Sequence, residues 1–254
     1  EPEIDNLIEI FILMGAKIRR TNSRTIVIQG VMKLTGCEFS IMPDRNEVIT
    51  FAIGAIATGG DIIVEDTQRH YLTSFLECLA KVHAGWEPIS DNKTRFFAGR
   101  DLRSTDVVIK VYPGFMTDWQ APWALLMTQA KGISTVHETI YEDRFGYVSE
   151  LRKMGAEIDF YHPVIKNPQN FYNFNWKDRK KENCQAIKIS APVKLHNAIM
   201  EVTDLRAGIT LVLAALIAKG ESVITGIEHI ERGYENIEER LQRLGGKIER
   251  ITDL

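Results

Sequence analysis

One unit comes round three times in this chain and limits the folds open to it. Each copy reads as an aspartate, a helix apolar on nearly every face, a glycine stop and a strand; an amphipathic helix ending in glycine and further strands complete it. A helix that is apolar all round has no face to offer water, so it must be enclosed by other elements. Three such helices in one chain have to pack together, with the strands as their outer cover.

The first copy opens at Pro43 with PDRNEVITFAIGAIATGGDIIVED, where Asp44 and Glu47 have the spacing of a capping box. The second opens at Thr117 with TDWQAPWALLMTQAKGISTVHETIYEDRFGYVSELRKMGAEI. Proline does not fit several residues inside a regular helix, so Pro122 places the helix start near Ala121 and leaves Asp118 in the loop before it. The third opens at Thr203 with TDLRAGITLVLAALIAKGESVITGIEHIERGYENIEERLQRLGGKIERI. Its apolar helix covers residues 205–218, with Thr203 or Asp204 as N-cap and Gly220 as the stop. Several strands read as short pairs, among them TRFFAG and the DVVIKVY that comes after it across a polar turn.

Ahead of Pro43 lies the tail of a fourth unit, a helical EIDNLIEIFILMGAKI and a strand TIVIQGV, without its buried helix. Half a unit cannot cover its own apolar face. Residues 1–42 are therefore expected to be the end of one domain and residues 43–254 a complete three-repeat domain, the chain being part of a longer protein.

Composition excludes some functions. A formal charge of -3 and a pI near 6.1 give no global attraction to nucleic acid. The one stretch where aromatics alternate with bases, residues 160–183, is explained as readily by a twisted surface hairpin. Cys37, Cys78 and Cys184 are scattered and odd in number, which suits a reducing cytoplasm rather than a disulfide framework. No metal spacing such as HExxH occurs, no phosphate loop of GxGxxG or GxxxxGK[ST] type is present, and no apolar run reaches membrane-spanning length. Metal, cofactor, nucleic acid and membrane are not expected.

What remains is a recurring pattern of charge at element ends. Asp44, Asp118 and Asp204 sit at the same point of their units, and Arg144 and Arg232 each lie about a dozen residues beyond a glycine stop. Repeats that fold alike bring such ends together, so Asp118, Asp204, Arg144, Arg206 and Arg232 are expected in one cleft. Arginine forks match carboxylate and phosphate oxygens, which points to a small, doubly anionic substrate. A carboxylate among them can serve as a general base toward a hydroxyl.

The strings PDRNE at Pro43, FMTDWQ at Phe115, YEDRFGYVSELRKMGAEI at Tyr141, TDLRAG at Thr203 and HIERGYENIEERLQRLGGKIERI at His229 resemble the UDP-N-acetylglucosamine 1-carboxyvinyltransferases, which are enolpyruvyl transferases. The resemblance runs in order over nearly the whole chain and corresponds to a little more than the C-terminal half of those enzymes. It implies an inside-out α/β barrel, or α/β prism, of three repeats with buried helices and outer mixed sheets, plus part of a second such barrel. It implies transfer of enolpyruvyl from phosphoenolpyruvate to the 3-hydroxyl of UDP-N-acetylglucosamine with release of phosphate, the first committed step of peptidoglycan synthesis, in the cytoplasm. By the same resemblance Asp118 contacts the sugar hydroxyl as its base and Asp204 takes part in proton transfer. Arg206 and Arg232 bind phosphoenolpyruvate, Arg232 within the catalytic set. Arg144 lies on the sugar-nucleotide side, with Ile140 as a main-chain contact nearby.

The chain departs from the family pattern in reading FMTD for the usual FPTD and in a longer stretch between Gly155 and Thr203. The family's N-terminal lysine, its mobile loop with a reactive cysteine, the arginine near that loop and most of the uridine pocket precede the part present. The chain by itself is therefore expected to be inactive or nearly so. Two alternatives remain: a relative acting on shikimate 3-phosphate, and a half-protein that binds anions without transferring anything.

Overall fold

A computed structural model describes residues 1–251, and contacts along the chain divide it into a short unit, Glu1–Asp44, and a long one beginning at Arg45. In the short unit, helix α1 (Pro2–Leu13) begins with proline, whose missing N–H has no partner to lose in a first turn. Strands β1 (Lys17–Asn22) and β2 (Thr25–Gln29) form an antiparallel hairpin with Ile18 opposite Ile28. An Asp5–Arg20 ion pair fastens helix to hairpin, and the Met42 amide donates to Asn6 Oδ1 at 3.1 Å. Ile4, Leu7, Leu13 and Ile28 remain exposed and Pro2 is the one buried residue of α1.

The long unit is mixed α/β. Helix α2 (Arg45–Ala57) leads into β3 (Asp61–Val64), α3 (Thr73–Lys81), β4 (Gly85–Pro88) and β5 (Thr94–Phe97). Strand β6 (Val107–Val108) precedes α4 (Gln120–Met127), β7 (Gly132–His137), α5 (Tyr147–Lys153) and β8 (Glu157–Tyr161). After α6 (Pro168–Phe171) come β9 (Ala186–Ala191), β10 (Ile199–Glu201), α7 (Leu205–Ile217), β11 (Val223–Thr225), α8 (Glu228–Glu231) and α9 (Ile237–Arg243). The apolar helices α2, α4 and α7 pack on one another pairwise, and every residue of α4 is buried. At one of these crossings a side chain on Gly54 would press its Cβ to 3.0 Å from Leu213, so glycine lets α2 and α7 come close.

Among the described residues this unit has three sheets: β3-β5-β4, all antiparallel; β6-β7-β9-β8, mixed; and β10-β11, parallel. Parallel neighbours need a crossover connection. Here the crossovers are the buried helices themselves, α4 between β6 and β7 and α7 between β10 and β11. A helix in that position has strands before and after it and other helices beside it, which is why its sequence is apolar on all sides.

Three expectations need correction. TRFFAG and DVVIKVY are not paired with each other: β5 lies between β3 and β4, whereas β6 joins β7 in another sheet. A strand can choose a neighbour from a different repeat, and sequence adjacency does not reveal that. Glu47, which has the spacing of a capping-box acid, has both of its oxygens held by Arg240, at 2.7 and 2.8 Å. No strand comes after α9 among the described residues, where the unit was expected to continue into further strands. The 160–183 stretch is not a regular hairpin but the long connection between antiparallel β8 and β9, containing α6. Its aromatics and bases are used on each other: Trp176 stacks on Tyr172 at 4.4 Å, and the Arg179 guanidinium lies 3.6 Å from the Trp176 ring centre.

Candidate active site

The turn that carries Asp118 is shaped by the proline just after it and by the aromatic rings beneath it. Pro122 sits in the first turn of α4, where it has no hydrogen bond to break, and the chain enters that helix through a 3-10 turn, Thr117–Trp119. Trp119 and Trp123 pack edge-on against Phe75 and Phe115, with ring centres 5.2–6.2 Å apart. The Trp119 indole N–H donates to Asn46 Oδ1 at 2.9 Å. This aromatic floor fixes the turn while the Asp118 side chain caps nothing.

Its carboxylate instead faces two guanidinium groups from different repeats. Asp118 Oδ1 accepts from Arg206 Nε at 3.1 Å and from Arg144 Nη2 at 3.3 Å. The three side chains are between 14% and 30% exposed, sheltered enough for the pairing to hold and open enough for a ligand to reach them. Arg206 also donates through Nη1 to the Tyr234 hydroxyl at 3.3 Å, and that buried hydroxyl shares a hydrogen bond of 2.8 Å with Thr50 Oγ1. The Arg144 guanidinium lies 5.1 Å from the centre of the Tyr141 ring. Each arginine is thus oriented by an aromatic side chain as well as by the shared carboxylate.

Asp204 is committed differently. It is the N-cap of α7, and its Oδ1 accepts from the amides of Arg206 and Ala207, both at 3.0 Å. The cap holds the first turn of α7, and so the root of the Arg206 side chain. Arg232 closes α8 and is exposed, with no side-chain ion pair or hydrogen bond among the described residues. Its neighbours bring it to the same helix end: Ile230 fills the space a side chain on Gly208 would need, and Gly233 leaves room for Leu205. The Ile140 amide is already engaged, donating to Glu138 Oε1 at 2.6 Å, so the N–H of that residue is not open for a ligand. The structure therefore joins Asp118, Arg144 and Arg206 directly, ties Asp204 to them through the backbone of α7, and leaves Arg232 on the same helix end without a contact to the other charges.

Two residues here escaped sequence reasoning. Glu138 is fully buried at the end of β7, and burial holds its carboxyl above the usual carboxylate range against the lowering effect of four donors. The Tyr147 phenol is buried with no hydrogen-bond partner among the described residues; burial pushes its pKa up, the charges of Glu138 and Asp204 add to the rise, and the Arg144 guanidinium opposes it. An acid directly behind the strand sequence GISTVH was the available signal for Glu138. Nothing marked Tyr147, which reads as a core aromatic of α5. Among the described residues no group of three or more His, Cys, Asp or Glu is placed to hold a metal ion, and no helix is long and apolar enough to cross a membrane.

The comparisons with known proteins bear on this geometry. The family described as EPSP synthase (3-phosphoshikimate 1-carboxyvinyltransferase) matches residues 1–241. UDP-N-acetylglucosamine 1-carboxyvinyltransferase 2 of Bacillus subtilis is 39% identical over 255 residues, covering 100% of this chain and 54% of its own length. The UDP-N-acetylglucosamine 1-carboxyvinyltransferase of Sinorhizobium fredii is 36% identical over 253 residues, with the same coverage of 100% and 54%. This chain thus spans about half the length of the curated relatives it matches. Among solved structures, the enolpyruvyl transferase NikO of Streptomyces tendae shares the fold with a TM-score of 0.79 at 23% identity, over 98% of this chain and 54% of that one. EPSP synthase of Acinetobacter baumannii shares it with a TM-score of 0.64 at 17% identity, over 96% and 55%.

Proposed function

The chain belongs to the EPSP synthase (3-phosphoshikimate 1-carboxyvinyltransferase) family, and from that membership we propose that it is the C-terminal part of an enzyme that transfers enolpyruvyl from phosphoenolpyruvate to the 3-hydroxyl of UDP-N-acetylglucosamine. The observation that carries this choice of acceptor is identity of 34–40% over the whole chain to relatives that bear the name of that activity. The reaction places the protein in the cytoplasm, at the first committed step of peptidoglycan synthesis. The fold proposed for it is the inside-out α/β prism, with α2, α4 and α7 within and the three sheets around them. Residues 1–42 then end a second prism, and an N-terminal half supplies the remaining groups of the site.

In this reading the sugar hydroxyl bonds to the central carbon of phosphoenolpyruvate and gives its proton to Asp118, whose Oδ1 is held by Arg144 and Arg206. The methylene carbon takes up a proton, and the resulting tetrahedral species carries both the new ether and the phosphate. Phosphate leaves as the methyl group returns a proton, which restores the double bond in the transferred group. Arg206 and Arg232 bind the phosphate and carboxylate of the donor, whose charges suit their planar forks. Arg144 and the main chain at Ile140 border the sugar nucleotide, through the Ile140 carbonyl rather than its engaged amide. Asp204 shuttles a proton with the oxygen its capping bonds leave over, Oδ2.

Phosphate release from phosphoenolpyruvate plus UDP-N-acetylglucosamine tests the proposal, with the chain alone and with the N-terminal half of a curated relative added. Turnover is expected in the second mixture only. Absence of release in that mixture, while the relative's own two halves do reconstitute, sinks the reading; turnover with shikimate 3-phosphate in place of the sugar nucleotide favours the acceptor named in the family description. Full activity of the isolated chain would remove the need for an N-terminal half.

A further inference from the structure

Glu138 is the most deeply buried carboxylate of the site region, and no part of the proposed reaction uses it. It is 0% exposed and has no cationic partner among its hydrogen bonds. Burying a carboxylate without a counter-charge is costly unless its lone pairs are filled, and here all four directions are taken. Oε2 accepts from Thr117 Oγ1 at 2.8 Å and from Gln120 Nε2 at 2.7 Å. Oε1 accepts from the amides of Ile140 at 2.6 Å and Tyr141 at 3.3 Å.

The distribution of those bonds matters more than their number. Thr117 and Gln120 bracket Asp118, so one carboxylate oxygen pins the Asp118 turn on both sides. Ile140 and Tyr141 open the loop that leads to Arg144, and Tyr141 supplies the ring beneath that arginine's guanidinium. The two oxygens of one side chain therefore span the two segments whose tips meet in the Asp118–Arg144 contact. We infer that Glu138 is a positioning residue, and that its reach across the two loops, rather than its charge, sets the place of Asp118 between Arg144 and Arg206. The proposed reaction gives this inference its catalytic meaning, and its geometric content is open to test without that reaction.

Reach and charge separate cleanly in two substitutions. Glu138→Asp keeps the charge and loses one methylene, so it cannot touch both loops. Glu138→Gln keeps the length, and the neighbouring Gln120 Oε1, which has no hydrogen-bond partner, can swing over to accept from the new amide. In proton–nitrogen spectra of the chain, the Arg206 Nε–H signal reports the bond to Asp118 directly. It is expected to stay in place in Glu138→Gln and to move toward the position of free arginine in Glu138→Asp. In the reconstituted enzyme Glu138→Asp is expected to lower kcat roughly 100-fold with KM little changed, as a displacement of about 1 Å does, while Glu138→Gln stays near the parent. The reverse order would assign the effect to charge, an unmoved Arg206 signal in both variants would leave Glu138 a purely structural residue, and loss in both would remove the distinction; each overturns the inference. If Glu138→Asp does not fold, Thr117→Val removes one of the same bonds, and an unmoved Arg206 signal there overturns it equally. A parent enzyme without turnover would count against the transfer reaction and leave the spectral result standing.

Discussion

Asp118 and Asp204 occupy the same point in two copies of one repeat, and their carboxylates have opposite fates. Asp204 stands at the start of a helix that begins regularly, and its Oδ1 is consumed by two amides of the first turn. Asp118 precedes a helix that contains Pro122 and is entered through a 3-10 turn, so its carboxylate meets no amide of its own helix and turns to Arg144 and Arg206. A change in how the helix starts converts a capping group into an anion held in a basic pocket. The lesson is that repeat position names the candidates, and local backbone decides which of them is free for chemistry.

The comparison breaks most visibly at Asp118. In the reconstituted enzyme Asp118→Asn is expected to lower turnover roughly 10²–10⁴-fold, the range typical of a lost general base, with cooperative unfolding retained. An equally active variant would strip Asp118 of that role. Arg206→Lys is next. It keeps the charge but loses the fork that reaches Asp118 and Tyr234 together, and charge-assisted hydrogen bonds are worth about 1.5–3 kcal/mol, so turnover over KM for phosphoenolpyruvate should fall about ten- to a hundredfold. Arg232→Lys should act in the same direction without disturbing the Arg206 Nε–H signal, since Arg232 contacts none of the cluster in the free chain. An effect of Arg232→Lys on that signal would contradict its separate placement.

The capping half of the comparison is measured by stability. Asp204→Ala should lower the unfolding free energy by about 1 kcal/mol through loss of the N-cap, and Asp204→Asn by a few tenths at most, with the denaturant slope unchanged in both. If Asn and Ala cost the same, the cap contributes nothing and Asp204 belongs with Asp118. The same physics decides how much of this was legible in the sequence. The cap of α7, the displaced start of α4 and the burial of the apolar helices were all readable, because each is governed by neighbours in sequence. The meeting of Asp118 with Arg144 and Arg206 was legible through the repeat and the resemblance. The pairing of β6 with β7, the capture of Glu47 by Arg240 and the bonds from Thr117 and Gln120 to Glu138 were not, because each is decided by a partner from another part of the chain. Glu47 shows the limit well: its spacing satisfied a local rule, and nothing in that spacing showed that a distant arginine holds both of its oxygens.

The smallest effect is a titration. Burial raises the Glu138 carboxyl above its ordinary pKa of 4.5, so the native chain keeps that proton to higher pH than the unfolded chain does. A group whose native pKa is raised contributes its stability fully below the unfolded value and loses it as pH climbs through the native one. Parent protein should therefore give up this contribution as pH rises above the ordinary carboxylate range, whereas Glu138→Gln has no proton to lose there. The difference in unfolding free energy between the two, measured by urea titration at a series of pH values, should shift toward the glutamine variant as pH increases. A flat difference would mean that Glu138 carries its charge at no cost in the fold, and that the four hydrogen bonds fully replace the water it leaves.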